Sequence, residues 1–297
     1  MADDLALTKP LRWRRSRAIF VNSMGDLFHE SVPDAWIDRV FAVMALASQH
    51  TFIVLTKRAK RMREYLAART DNREHAIGAA MREIDNGNPG LPDLPLPNVV
   101  LGVSAERQQE VDARIPDLLA TPAAVRFASA EPLLGPINLT HIQAPRFVPE
   151  DHELEWKFSA LDTGEYYQFE DGLGFWEGGD GPHREHRLDW IVCGGESGPG
   201  ARPMHPDWVR QIRDDCAAAG VPFLLKQWGE WAPDDGSRPI SDMLRLDAAY
   251  WSGERWIQGP PNLAEFEDGD VAYRLGKRAA GRTLEGVIHD TYPEPRP

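Results

Sequence analysis

Cysteine is nearly absent: Cys193 and Cys216 are the only two among 297 residues. A disulfide-stapled scaffold is excluded, and this usage fits a reducing cytoplasm. No run of about 18 apolar residues occurs, so neither a transmembrane helix nor a membrane partner is expected. Met1 to Pro10 has no apolar stretch of the kind a secretory signal needs. Catalytic signatures are missing too. Ser197 follows Gly195-Glu196, but position 199 is proline, so Gly-x-Ser-x-Gly is not formed. The glycines around it do not make Gly-x-Gly-x-x-Gly, and His29-Glu30 does not extend to His-Glu-x-x-His.

Positive charge is also short. There are 33 Lys and Arg against 46 Asp and Glu, a formal charge of −13. The excess is local. Residues 150–187 hold eleven acidic and three basic residues, and residues 230–270 hold ten and three. The remainder is near neutral, which argues against a protein that coats nucleic acid. Both acidic segments read as additions to a neutral core. Residues 1–17 form a basic N-terminal arm (Lys9, Arg12, Arg14, Arg15, Arg17), residues 18–229 a β/α domain interrupted at 145–187, and residues 230–297 an irregular or hairpin-rich Trp/Asp segment with a basic helical cap at 274–282.

What is present is a repeated unit: an apolar strand, a polar tip, a helix. Trp190 to Cys193 reads as a buried strand that opens into the glycine-rich loop Gly194–Met204, with a helix from Pro206 stopped by Gly220. Ala18–Val21, Phe52–Leu55, Val99–Val103, Val125–Ala128 and Val221–Leu225 repeat the apolar run. Helices are expected from Pro33, over Arg58–Arg69, over Asn72–Ile84 and around Val111 and Ile115, with Pro116 breaking or kinking the last. Alternating strands and helices imply a parallel sheet. Six strands are too few for a closed eight-strand barrel, so the expected fold is a partial (β/α) barrel, TIM-barrel-like, with a doubly wound sheet as the competing architecture.

In parallel α/β folds the ligand sits at the carboxyl ends of the strands. Those ends carry Asn22, Asp26, Lys57, Ser104, Glu106, Glu131, Gly194, Gly195, Glu196, Ser197, Lys226 and Gln227, which are the candidate ligand-binding residues. Each alone reads first as a cap or turn residue; their recurrence at nearly every tip points to a shared mouth. Asp26, His29 and Glu30 are weak candidate metal ligands. Cys193 and Cys216 read as buried packing residues.

The stretches Phe20–Glu30, Leu55–Arg58, Leu101–Ser104, Glu131–Ile137, Gly194–Met204 and Lys226–Gly229 together resemble a phage and prophage family of unassigned function that itself resembles the radical-SAM superfamily. The resemblance runs from about residue 18 to the end, gapped at the acidic segments. It implies a partial barrel in the cytoplasm of a bacterial host, holding S-adenosylmethionine and a [4Fe–4S] cluster at its mouth. Glu196 and the Gly194-Gly195 backbone would meet the methionyl moiety, and Ser104 the ribose. The family's N-terminal three-cysteine segment is lacking here, and a cluster needs thiolates. A cysteine-bearing partner chain or a missing N-terminal segment would have to supply them. Two other readings remain open. One is a cluster-free enzyme using a divalent metal for hydrolysis or phosphoryl transfer. The other is a non-catalytic module for nucleic acid or protein, motivated by Lys57-Arg58-Ala59-Lys60-Arg61 and the basic arm.

Overall fold

The computed structural model describes residues 4–67, 70–85, 87, 89–143, 155–162, 165–169, 172–175, 187–234, 236, 239–259 and 271–293. Six strands form one parallel sheet: β1 (Ala18–Val21), β2 (Thr51–Thr56), β3 (Val99–Ser104), β4 (Val125–Ala130), β5 (Trp190–Gly194) and β6 (Phe223–Gln227). Their spatial order is their order in the chain, and every neighbouring pair is parallel. A doubly wound sheet reverses its order at a switch point; this one never does. The sheet therefore curls in one direction, and the architecture is a half-barrel. Five helices connect the strands: α1 (Asp34–Leu46) after β1, α2 (Ala59–Ala67) and α3 (Thr70–Ile84) both after β2, α4 (Gln108–Leu119) after β3 and α5 (Pro206–Ala219) after β5.

The strands are legible as apolar runs because both faces of the sheet are covered. β3 and β4 are buried at every residue. One face packs on the helices: Val54, Leu101, Val103, Ala128, Ile191 and Leu225 join Ile37, Phe41, Met62, Ile115 and Val209 in the main core. The alternate residues form a separate concave cluster of Val100, Val125, Phe127, Trp190, Val192 and Leu224. Each such side chain contributes about 1.5–3 kcal/mol by leaving water, so the concave floor is a second core. Tyr292 stacks on Trp190 at 5.2 Å between ring centres, and the Trp190 indole donates to the Thr291 carbonyl.

The helices are tied by one polar cluster. Asp38 of α1 is buried, accepting from the Tyr65 hydroxyl at 2.7 Å and from Arg73 at 2.8 Å, and the Arg73 guanidinium lies 3.8 Å from the Tyr65 ring centre. Burial and the Asp38 carboxylate both push the Tyr65 phenol far up, so it stays a donor.

Several local expectations are corrected. Pro33 is the N-cap of α1, not its first-turn residue. Pro116 does not break α4. It lies inside the helix, flanked by the fully buried Ile115, Leu118 and Leu119, and that packing offsets the bond its missing N–H costs, about 3 kcal/mol. The segment taken as 145–187 contains order: Ile142–Gln143, Glu155–Phe158, Glu165–Phe169 and Gly172–Phe175 form a four-stranded antiparallel sheet. Within 230–297, Trp231–Pro233, Val271–Arg274, Ala248–Trp251 and Trp256–Gly259 form another. The basic cap holds a short helix, Lys277–Ala280, and no more.

The two sheet edges are treated differently. The chain's own tail covers β6, with Leu225 N–H donating to the His289 carbonyl and Leu224 bridging Asp290 antiparallel. β1 pairs with β2 and, among the described residues, with no strand on its other side. The arm (residues 4–12) packs near that edge, where Pro10 is buried and its carbonyl accepts from the His50 ring.

Gly102 tests the concave packing. A Cβ there would lie 2.1 Å from the Phe127 ring. Gly102→Ala is expected to cost about 1–3 kcal/mol by overpacking and to lower the thermal midpoint followed by circular dichroism. Adding Phe127→Leu should recover part of the loss; an unchanged midpoint in the single variant contradicts this packing.

Candidate ligand-binding mouth at the strand tips

The carboxyl ends of the six strands are laced to one another. Asp26, just past β1, accepts from four donors: Phe28 N–H at 3.0 Å, the Thr56 hydroxyl at 2.7 Å, Lys57 N–H at 3.0 Å and Arg58 at 3.2 Å. Three of these lie at the β2 tip, so Asp26 fastens one tip to the next. Asn22, with a left-handed φ of 55° that asparagine tolerates, starts the connecting turn. Lys57 reaches across to Glu106 at the β3 tip, which also pairs with Arg114 of α4 at 2.8 Å. Arg114 donates further to the Ser104 carbonyl. At the β4 tip Glu131 accepts from Lys226 at 2.8 Å and Gln227 at 2.9 Å, both at the β6 tip. Between them, the Gly194 carbonyl of β5 accepts from Leu133 N–H, and Gly195 N–H donates to the Gln227 carbonyl.

The glycines serve this lacing. A Cβ on Gly194 would sit 3.1 Å from the Glu131 carboxyl, and one on Gly195 would fall 1.8 Å from the Trp228 carbonyl. Their lack of a side chain lets the β4, β5 and β6 tips close on each other. The loop beyond is clamped from the C-terminal sheet. Glu230 accepts from Gly198 N–H, Arg274 donates to the Gly198 and Pro199 carbonyls, and the Trp231 indole donates to the Ala201 carbonyl. Glu196 is held bidentately by Arg202, which also donates its backbone N–H. Ser197 is exposed on the same loop.

Two kinds of charged group emerge. Asp26 and Glu106 are structural anchors. Burial pushes both carboxyls up, but hydrogen bonds from Lys57, Thr56 and Phe28, with the Arg58 charge, outweigh it at Asp26; the Lys57 hydrogen bond and the Lys57 and Arg114 charges do so at Glu106. Both end below the ordinary carboxylate range. At the Glu131–Lys226 pair no arginine takes part: the carboxylate is 18% exposed against 8% for Glu106, while Lys226 and Lys57 are exposed alike, 54% and 55%. An ion pair open to water on one side is worth about 0–1 kcal/mol, and Glu131 keeps its bond from Gln227 when Lys226 turns away. Ser104 and Ser129 are register partners on the same concave side, and both residues are buried.

Other candidates are spent elsewhere. His29 bonds to Ser31, and its other ring nitrogen lies 3.6 Å from exposed Glu30; Asp26 is turned to Arg58. Among the described residues no three His, Cys, Asp or Glu side chains group as metal ligands. The cationic run is ion-paired, Lys57 to Glu106, Arg58 to Asp26, Lys60 to Glu64 and Arg61 to Asp34, the Lys60–Glu64 pair being a loose surface contact. Cys193 is buried on the helix side, its sulfur 4.0 Å from that of Met204, and burial pushes its thiol far up. Cys216 is buried on α5, its thiol pushed up to about 12. Thiolates are what a cluster needs, so this chain's cysteines do not fit an iron–sulfur cluster.

One family model, described as Protein of unknown function (DUF5131), matches residues 1–293. The chain belongs to this family. No curated protein and no solved structure matches it. The family match takes in the basic arm and both acidic segments, which the resemblance read from motifs had left out. Membership carries neither a phage origin nor a radical-SAM relationship. No helix among the described residues is long and apolar enough to cross a membrane.

Sequence reasoning missed the arginines. Arg58, Arg114, Arg202 and Arg274 each complete a tip, yet only Arg58 and Arg202 adjoin the motifs they serve. Arg202, six residues after Glu196 in a tight glycine-proline loop, was within reach of local reasoning.

The anchors predict an acid transition. A depressed folded pKa gives stability that is complete above the ordinary values, 3.8 for Asp26 and 4.5 for Glu106, and is lost as the pH falls through the lower folded values. Asp26→Asn should lower the thermal midpoint at neutral pH and flatten its decline on acidification. A variant with the wild-type pH profile contradicts the assignment.

Proposed function

We propose that this chain is the ligand-holding part of a β/α barrel and binds S-adenosylmethionine or a nucleotide-like ligand at the mouth formed by β3 to β6. The observation that carries the reading is the Glu131–Lys226 pair beside Gly194, on the rim of an apolar concave floor. An amino acid moiety brings an ammonium and a carboxylate together. Set between Glu131 and Lys226, it replaces one ion pair by two, with charge-assisted hydrogen bonds on both sides. Ser104 and Ser129, a buried pair at the β3 and β4 tips, are the candidates for the hydroxyls of a sugar. Glu196 is less suited to the methionyl role, because Arg202 already occupies both its oxygens.

Radical chemistry at this mouth would require thiolates that this chain does not offer. In this reading they come from a cysteine-bearing partner chain or from a segment outside residues 1–297. A divalent-metal hydrolase has no ligand set among the described residues to support it, and a nucleic-acid module loses the cations of α2 to ion pairs.

Titration calorimetry of the full chain with S-adenosylmethionine and S-adenosylhomocysteine tests the proposal. Saturable binding is expected, weakened about tenfold or more by Lys226→Ala, the loss of one charge-assisted contact. Equal affinity of the Lys226 variant, or no heat with either compound, removes it.

A further inference from the structure

Among the described residues, the outer edge of β1 has no strand beside it. The Arg17 carbonyl accepts from Thr51 N–H, on the β2 side. Backbone groups alternate in direction along a strand. Those of Ala18 and Phe20 therefore point away from β2, to the open edge. Natural edges are usually blunted by lysine, proline, a bulge or a covering segment. Ala18-Ile19-Phe20-Val21 has no charge and no proline, and Phe20 is 48% exposed. The protein covers its other edge with its own tail, so the contrast lies within one molecule.

Beside this edge runs a groove of about 870 Å³. Ile19 and Val21 form its floor, Trp36, Val40 and Val43 of α1 one wall, and Leu7 of the arm the other. Trp36 is itself 49% exposed. Charge in the chain just ahead of β1 has one sign: Arg12, Arg14 and Arg15 are exposed and make no ion pair among the described residues. The backbone row, the apolar groove and the cationic lead-in to β1 together specify what fits.

We infer that β1 is a docking edge for a partner polypeptide, which adds an extended apolar segment flanked by acidic residues as a seventh strand. The main chain of that segment meets the Ala18 and Phe20 backbone, alternate side chains enter the groove, and the acidic flank meets Arg12, Arg14 and Arg15. This is strand addition: backbone bonds supply affinity, and the pockets supply selectivity. It stands on the edge geometry and not on what the mouth binds.

Fluorescence anisotropy of the full chain with labelled synthetic peptides decides it. One peptide alternates valine and threonine between aspartate and glutamate ends. A second carries lysine ends, and a third has its alternate amides N-methylated. The acidic peptide should bind saturably and the other two about tenfold more weakly or worse, as unmade backbone bonds and opposed charges require. Phe20→Pro removes an edge N–H that β2 does not use, and the double variant Arg14→Glu/Arg15→Glu reverses the lead-in charge without touching the sheet; each should weaken the acidic peptide about tenfold. Should Phe20→Pro fail to fold, the arm variant still decides. Equal binding of the lysine-ended peptide, or none of the acidic one, overturns the inference. So does self-association in sedimentation that Phe20→Pro abolishes, since that assigns the edge to a second copy. Calorimetry with S-adenosylmethionine on the arm variant keeps the mouth separate: its binding should be unchanged.

Discussion

Everything at the mouth depends on one constraint: six strand tips of a curled sheet must be held together without a seventh or eighth strand to close the circle. A complete barrel gets this from closure. Here the tips are tied by polar side chains that cross from one strand to the next. Asp26 joins β1 to β2, Lys57–Glu106 joins β2 to β3, and Glu131 with Lys226 and Gln227 joins β4 to β6 over the glycines of β5. The curl supplies the proximity, and the charges hold it.

The ties differ in strength, and that difference separates scaffold from site. Asp26 has four donors, and losing it would strand several polar groups at once. Glu106 is buried between two cations. Glu131 and Lys226 form a pair open to water on the lysine side. Among these ties, that one alone lies beside the backbone of β5 without an arginine in place.

How much of this was legible follows from the range of each interaction. The six strands were legible because burial on both faces makes each an unbroken apolar run; Ala18–Val21 was read with its observed bounds. The succession of tips was legible because each run ends in polar or glycine residues. Hairpin structure was expected after residue 230 and occurs at Ala248–Trp251 with Trp256–Gly259, but the long-range pairing of Trp231–Pro233 with Val271–Arg274, some forty residues away, was not legible. The purpose of Gly195 was not legible either: sequence shows that backbone must come close to something, but not that the something is the Trp228 carbonyl. The arginines of α4 and the C-terminal sheet reach the tips only through the fold.

The most direct test is a crystal structure of the full chain grown with saturating S-adenosylhomocysteine. The account predicts the amino acid end of the ligand between Glu131 and Lys226, with their direct ion pair opened and the Asp26 and Glu106 contacts unchanged. A mouth with the Glu131–Lys226 pair intact and the ligand absent, or lodged elsewhere, would contradict it.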